Sequence, residues 1–339
     1  MPKVALITGI MGQDGAYLTR HLLNQGYIIW GARRRSSQDS QWRLEELGIL
    51  GDVQLIDLDL LEMSNIIEAI RKTEPDEIYN LAAQSYVAVS FSQPVYTSQV
   101  NAISPTYLLE SIRVINPKIK FYQASTSEMF GNNGAEIQNE ESVFKPESPY
   151  AISKLFSHWM TVNYRKSHDL FACSGILFNH ESPFRGLDFV TRKITSGFSM
   201  IKANKLPFLE LGNVDAMRDW GHAADYISGM HAMLQQPTPD DYVLATGKSH
   251  SVREFASLAA SVCGWNPEWI VKEKGEVCLD RKTGKEIIRI SPKFFRPVDI
   301  KVLKGDATKA REILGWQPKR DFNGLVIEMM EADLARQKL

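Results

Sequence analysis

Glu128 stands in the stretch S-T-S-E-M-F-G, residues 125 to 131, directly after the apolar run K-F-Y-Q-A. Further along, S-P-Y-A-I-S-K puts Tyr150 and Lys154 one helical turn apart on the same face. A phenol with an ordinary pKa of about 10 is a poor base at neutral pH. A lysine cation within reach favours the phenolate and is expected to depress that value, which makes proton transfer feasible. Thr126 offers a hydroxyl to hold the reacting oxygen. Glu128 is the residue that simple hydride transfer has no use for. A carboxylate beside the carbon next to a newly formed ketone can remove its acidified proton and help expel a neighbouring hydroxyl as water. The four side chains therefore point to an internal redox dehydration, in which an alcohol is oxidised, water is lost and the hydride is returned.

That chemistry needs a hydride carrier. T-G-I-M-G-Q-D-G places Gly9, Gly12 and Gly15, with Gln13 and Asp14, between an expected strand and an expected helix. Glycines there let the backbone turn tightly and approach a pyrophosphate seated on the helix N-terminus. The spacing G-x-x-G-x-x-G is the form found in short-chain dehydrogenase/reductase-type sites. The next strand ends in R-R-R-S-S, Arg33 to Ser37, with no acid. An acid at that point accepts the ribose 2′-OH of NAD, whereas arginine accommodates a 2′-phosphate, so the stretch favours NADP. Asp59 and Leu60, after the third strand, are placed to hold the adenine edge. Asn80 to Ser85, N-L-A-A-Q-S, is small enough to let the cofactor pass.

The elements that must position these residues alternate. Strands are expected at Val4–Thr8, Tyr27–Ala32, Val53–Asp57, Glu77–Leu81, Ile119–Ser125 and Leu170–Leu177. Helical spacing covers Asp14–Asn24, Ile66–Lys72, Val95–Ile115 with a kink or break at Pro105, and Tyr150–Ser167. This rhythm predicts an α/β fold, a Rossmann-type doubly wound parallel sheet. From about residue 180 the elements shorten, as expected of a smaller mixed α/β substrate-binding lobe. The predicted division is 1–179 plus about 220–246 for the dinucleotide domain, and 180–219 with 247–339 for the lobe. His222–Leu234 and Tyr242–Ala245 return to the first domain, and the charge run at 272–286 is expected to be a solvated hairpin or loop.

Composition narrows the class. With 339 residues, 44% hydrophobic, 23% charged and a net charge of -1, the chain reads as an ordinary globular protein without a nucleic-acid or membrane partner. The N-terminus reads as a first strand, not a signal peptide. Cys173, Cys263 and Cys278 are odd in number and lack C-x-x-C spacing, which fits reduced thiols and a cytoplasmic location. No histidine pair has ligand spacing, so no metal is expected.

These residues and several longer runs resemble the GDP-mannose 4,6-dehydratase family of the extended short-chain dehydrogenases/reductases. The likeness covers nearly the whole chain and includes A-L-I-T-G-I-M-G-Q-D-G-A-Y-L, I-Y-N-L-A-A-Q-S, N-H-E-S-P, V-T-R-K-I, R-D-W-G-H-A and F-F-R-P. It implies a catalytic set of Thr126, Glu128, Tyr150 and Lys154. For NADP it implies the Gly9–Gly15 loop, Arg34, Arg35, Ser36, Asp59, Leu60, then Leu81, Ala82, Ala83, Gln84 and Ser85, with Tyr96, His180 and Arg185. For a GDP-sugar it implies Ser85, Asn179, Val190, Lys193, Gly212, Arg218 and Arg296. It also implies a homo-oligomer, a dimer or tetramer, with the arginine-rich turn near a neighbour's cofactor. Phe184 before Arg185, Ala151 after Tyr150 and the loop 136–145 depart from the family pattern. No catalytic group is lost, but the sugar stays open, because close relatives act on GDP-manno-heptose. A 4-epimerase or 4-reductase on the same scaffold is the enzymatic rival, and a non-catalytic NADP-binding regulator the rival of another class.

Overall fold

Runs such as V-A-L-I-T carry little that needs water, and they are buried in the middle of one sheet. The computed structural model describes all residues except 38–39, 274, 296–297, 299 and 339. Strands β1 (Val4–Thr8), β2 (Ile28–Arg33), β3 (Val53–Asp57), β4 (Glu77–Asn80), β5 (Lys120–Thr126) and β6 (Ala172–Leu177) open the chain. Between them run helices α1 (Gln13–Asn24), α2 (Trp42–Glu46), α3 (Met63–Thr73), α4 (Val87–Ser92), α5 (Pro94–Ser98), α6 (Ser104–Ile115) and α7 (Pro149–His168). The chain then leaves the sheet as β7 (Asn179–Glu181), α8 (Val190–Lys202), β8 (Leu209–Leu211) and β9 (Met217–His222). It returns through α9 (Ala223–Leu234) to β10 (Asp241–Leu244).

Seven parallel strands lie in the order β10-β6-β5-β4-β1-β2-β3. The winding reverses between β1 and β4, so a crevice opens at the carboxyl ends of those strands. Leu18, Leu22, Tyr226 and Met230 from α1 and α9 pack in one apolar cluster, and Ile66, Ile70, Leu109 and Ile112 from α3 and α6 in another. Each such aliphatic side chain, fully buried, contributes roughly 2 kcal/mol relative to exposure.

A buried polar ladder fixes the strand ends that meet at the crevice. Thr8 Oγ1 donates to Asn80 Oδ1 at 2.8 Å, and Asn80 Nδ2 donates to Gln123 Oε1 at 2.8 Å. Thr8 Oγ1 also accepts the N–H groups of Leu81 and Ala82, each at 3.1 Å. Left unpaired, such groups would each cost about 1–3 kcal/mol, so the ladder holds β1, β4 and β5 in one register.

The remaining elements are β11 (Ser249–Ser251), α10 (Val252–Val262), β12 (Pro267–Lys272), β13 (Gly275–Asp280), β14 (Glu286–Ile290), α11 (Thr308–Leu314) and α12 (Phe322–Arg336). They form a three-stranded sheet β11-β9-β7 and a four-stranded sheet β12-β13-β14-β8, packed with α8, α10 and α12 around Phe198, Phe255, Met329 and Met330.

Two expectations are refined. The helix through Pro105 does not simply kink; a π-helical turn, Gln99–Ile103, joins α5 to α6 just before the proline. Proline removes an N–H from the ladder, and the wider turn takes up the mismatch. Within 272–286, β13 pairs antiparallel with β12 and β14, which fits the hairpin expectation, but the run is not solvated throughout, because Val277 and Cys278 are buried.

Candidate active site

Helix α7, which carries Tyr150 and Lys154, starts where its sequence says it should. Ser148 caps α7 by accepting the Ala151 N–H at 3.1 Å, Pro149 takes the first turn, and Tyr150 follows. Tyr150 and Lys154 then lie on the buried face of α7, which packs on β5 and β6. At the end of β5, Thr126 Oγ1 accepts the Glu128 N–H at 3.2 Å and caps the short turn Ser127–Met129. The cap holds Glu128 close to the strand end and leaves the Thr126 hydroxyl proton free to donate.

A cleft of about 620 Å³ joins these groups. Thr126, Glu128, Tyr150 and Lys154 line it together with Leu81, Ala83, Ser85, Asp14, His180 and Arg185. Asn179, Val190, Lys193, Gly212 and Arg218 line the same cleft. A second cavity of about 350 Å³ is walled by Arg33, Arg34, Arg35, Ser36, Ser37, Ser40, Gln41 and Asp57.

Electrostatics inside the cleft depart from the expectation for Tyr150. Burial pushes its phenol up to about 12; the Thr126 hydroxyl opposes this, and the Glu128 and Asp14 carboxylates add to it. Burial pulls Lys154 down to about 8, with Asp14 opposing. The lysine ammonium donates to the Ala124 carbonyl at 2.8 Å. The protein's own groups therefore raise the tyrosine instead of depressing it, because desolvation of the phenol is the largest contribution.

Asp14 and His180 form a second charged unit at the start of α1. Burial raises the Asp14 carboxyl, but His180 and Arg185 overcome it and hold the group at about 2. His180 Nε2 lies 2.9 Å from Asp14 Oδ2, and Nδ1 lies 2.8 Å from the Phe178 carbonyl. The ring stacks on Tyr226 with centroids 4.7 Å apart.

The glycine loop fits a bound pyrophosphate. No side chain caps α1, so its first N–H groups face the crevice. A Cβ on Gly15 would come within 2.5 Å of the Gly9 carbonyl and of Ile10 Cα, and Gly9 itself has φ +70°. Only glycine lets this loop close.

Other expected residues occupy supporting positions. Gln13 is tied inward, donating to the His180 carbonyl at 3.0 Å and accepting from Ser182 at 2.7 Å. Gln84 holds Thr97 and the Tyr86 N–H, and Asn101 in the π turn clasps its backbone. The Leu60 side chain is core, and the exposed Asp59 carboxylate accepts the Leu61 N–H at 3.0 Å. Arg34 donates to Tyr96 Oη at 2.7 Å. Arg218 is buried, donating to the carbonyls of Met217 at 2.9 Å and Ile300 at 2.8 Å. Arg296 lies outside the described residues.

The GDP-mannose 4,6 dehydratase family model matches residues 6–329, across all of these positions. The chain belongs to this family. A curated GDP-mannose 4,6-dehydratase of Sinorhizobium fredii is 46% identical over 340 residues, covering 98% of this chain and 97% of the relative. Among solved structures, UDP-glucose 4-epimerase of Thermus thermophilus in complex with NAD superposes with a TM-score of 0.79 at 23% identity, over 97% of this chain and 98% of that one. RMD from Pseudomonas aeruginosa complexed with NADPH gives 0.76 at 20%, over 98% and 99%. These likenesses carry the fold: a parallel Rossmann-like sheet with smaller mixed sheets.

Residue spacing within this family frame did not single out the aromatic lining of the cleft. Tyr86, Phe189, Phe294 and Phe295 face it, as does the buried carboxylate of Glu181. Arg185 lies over the Phe189 ring at 3.5 Å and Lys193 over the Phe294 ring at 3.4 Å. The signal was present in N-H-E-S-P and F-F-R-P, but an aromatic in a loop reads as packing until its cation is placed beside it.

Proposed function

We propose that this chain dehydrates GDP-mannose to GDP-4-keto-6-deoxymannose with bound NADP. The observation that carries this reading is Glu128 sharing one cleft with Tyr150, Thr126 and Lys154. Bound NADP supplies the place where a hydride from C4 is held before it returns to C6. Tyr150 takes the proton of the 4-hydroxyl, and Thr126 hydrogen-bonds O4. Glu128 removes the C5 proton, acidified by the neighbouring ketone, and passes it to the departing C6 hydroxyl to form water; a proton, balanced by the one taken from the 4-hydroxyl, returns to C5 as the hydride returns to C6. Lys154 keeps a positive charge behind the tyrosine. On the substrate side, Asn179, Val190, Lys193, Gly212 and Arg218 hold the GDP-sugar, with Arg296 joining them by family position; cations there offset a desolvated diphosphate. His180 and Arg185 flank the cofactor.

A nicotinamide dinucleotide is common to the family and its structural neighbours. NADP, and not NAD, is favoured here by the cavity that Arg33, Arg34, Arg35 and Ser36 enclose at the end of β2. We also read the chain as a cytoplasmic homo-oligomer. Its cysteines are free and buried, and among the described residues no helix is long and apolar enough to cross a membrane.

The test uses GDP-mannose carrying deuterium at C4, with no added reductant. The label is expected on the C6 methyl of the product. Loss of label to solvent, or an unmethylated product, would overturn the reading. The variant Glu128→Gln is expected to bind GDP-mannose as the wild type does while product formation falls by about a thousandfold or more. A 4-epimerase would turn over normally without Glu128, and a 4-reductase would consume NADPH stoichiometrically. Running the same assay with GDP-manno-heptose decides between the two sugars.

A further inference from the structure

Three consecutive carbonyls in the loop after β7, those of Pro183, Phe184 and Arg185, are held by three arginines that come from three different helices. Arg192 of α8 donates Nη1 to Pro183 O at 2.5 Å and to Arg185 O at 3.1 Å. Arg336 of α12 donates to Pro183 O at 3.0 Å. Arg43 of α2 donates Nε to Phe184 O at 2.7 Å and Nη1 to Met11 O, in the glycine loop, at 2.9 Å. Burial first, then the neighbouring cations Arg192 and Arg336, pull Arg43 down to about 10.

Crowding three guanidiniums is unfavourable, so the arrangement needs an anion and a reason. Asp333 of α12 is the anion. Its carboxylate takes Arg192 Nε at 3.0 and 2.7 Å, Thr195 Oγ1 at 2.7 Å and Arg336 Nη1 at 3.1 Å. Both Arg192 and Asp333 are buried. The reason lies at the far end of the loop. Arg185 turns into the cleft, its Nε 3.0 Å from Glu181 Oε2 and its guanidinium on Phe189. Ser182 holds the Arg185 N–H at 3.0 Å and the Phe184 N–H at 3.1 Å, but the three carbonyls take their donors from outside the loop.

We propose that Arg192 is a positioning residue: paired with Asp333 of the C-terminal helix, it fixes the carbonyls of Pro183 and Arg185 so that the Arg185 side chain meets the dinucleotide in the cleft. On the same helix Val190 and Lys193 line that cleft, so one element holds both the substrate side and the cofactor loop. The inference rests on the cofactor reading above.

Arg192→Lys keeps a cation beside Asp333 but has no second nitrogen for the two carbonyls. It is expected to weaken NADP binding by about tenfold in calorimetry, the order of one charge-assisted hydrogen bond. kcat at saturating NADP and the KM for GDP-mannose are expected to stay within about twofold. Because a buried half-pair can unfold a protein, Arg192→Met/Asp333→Leu is measured beside it; an apolar replacement of both partners restores packing without restoring the carbonyl donors. Folded, weak NADP binding in that double variant supports positioning. Wild-type affinity in either variant overturns it and leaves Arg192 a packing residue. If the wild type binds no dinucleotide, the cofactor reading itself has failed, which is a different result.

Discussion

At the scale of single residues, the site sets stability against function. Lys154 is buried, and burial is the main reason its ammonium is lowered from 10.5 to about 8. Below pH 8 the folded and unfolded chains both carry this charge, and the folded state bears its full desolvation. Between pH 8 and 10.5 the folded chain has released a proton that the unfolded chain still holds, so stability rises with pH across that window. Above it both are neutral and the penalty is gone. Lys154→Met is therefore expected to be more stable than the nucleotide-free wild type at pH 7, by on the order of 3 kcal/mol, and catalytically dead. Urea unfolding at a series of pH values reads the difference. A gap that stays constant to pH 11, or a variant less stable at pH 7, contradicts the assignment. The sequence paired this lysine with Tyr150 by spacing, and the structure puts both in one cleft, but spacing alone carries no desolvation. Proximity argued for a depressed phenol, whereas burial and two carboxylates raise it.

Elements were easier to read than their joins. Strands Val4–Thr8 and Val53–Asp57 were legible to the residue, the first as a continuous apolar run in mid-sheet and the second as an edge strand whose apolar residues are broken by Gln54 and closed by Asp57. The π turn before Pro105 was not, since Q-V-N-A-I has ordinary helical spacing and its extra residue shows only in how Asn101 clasps Gln84. Nor was the aromatic lining, which depends on cations delivered from other elements. The turn after β2 lies between these cases. Its three arginines suit an anion, and they wall a 350 Å³ cavity, with Arg34 and Arg35 exposed and Arg33 half-buried against Asp57. Arg34→Ala should accordingly lower NADP affinity by about tenfold or more while NAD affinity changes by less than about twofold, since only the 2′-phosphate distinguishes the two ligands. Parallel titrations with both dinucleotides measure it. Equal losses for NAD and NADP would mean that Arg34 shapes the turn and does not read the phosphate.

At the scale of the whole molecule, α7 has two working faces. Inward it presents Tyr150 and Lys154; outward Ile152, Phe156 and Trp159 recur at helical spacing with 57%, 44% and 53% of their surfaces exposed. Beside them, on the helix pair that packs against α7, Val95 is 70% and Ile103 38% exposed. Exposed apolar side chains recurring on one face are the kind of surface that marks an interaction site. The homo-oligomer proposed above would give them a partner, a second copy meeting this face about a two-fold axis. Tyr96, next to Val95, is the residue that receives Arg34 at 2.7 Å, so this surface adjoins the arginine turn. Phe156→Glu/Trp159→Glu, which places charges in the middle of the stripe, should yield monomers in sedimentation velocity at micromolar concentration. If assembly also steadies α5 and the arginine turn, those monomers should bind NADP more weakly than wild type while binding GDP-mannose, whose proposed site is the main cleft, with little change. An unaltered sedimentation coefficient would show that the subunits meet elsewhere. Monomers with wild-type NADP affinity would separate the assembly from the cofactor site and leave the Arg34–Tyr96 contact a matter of one chain alone.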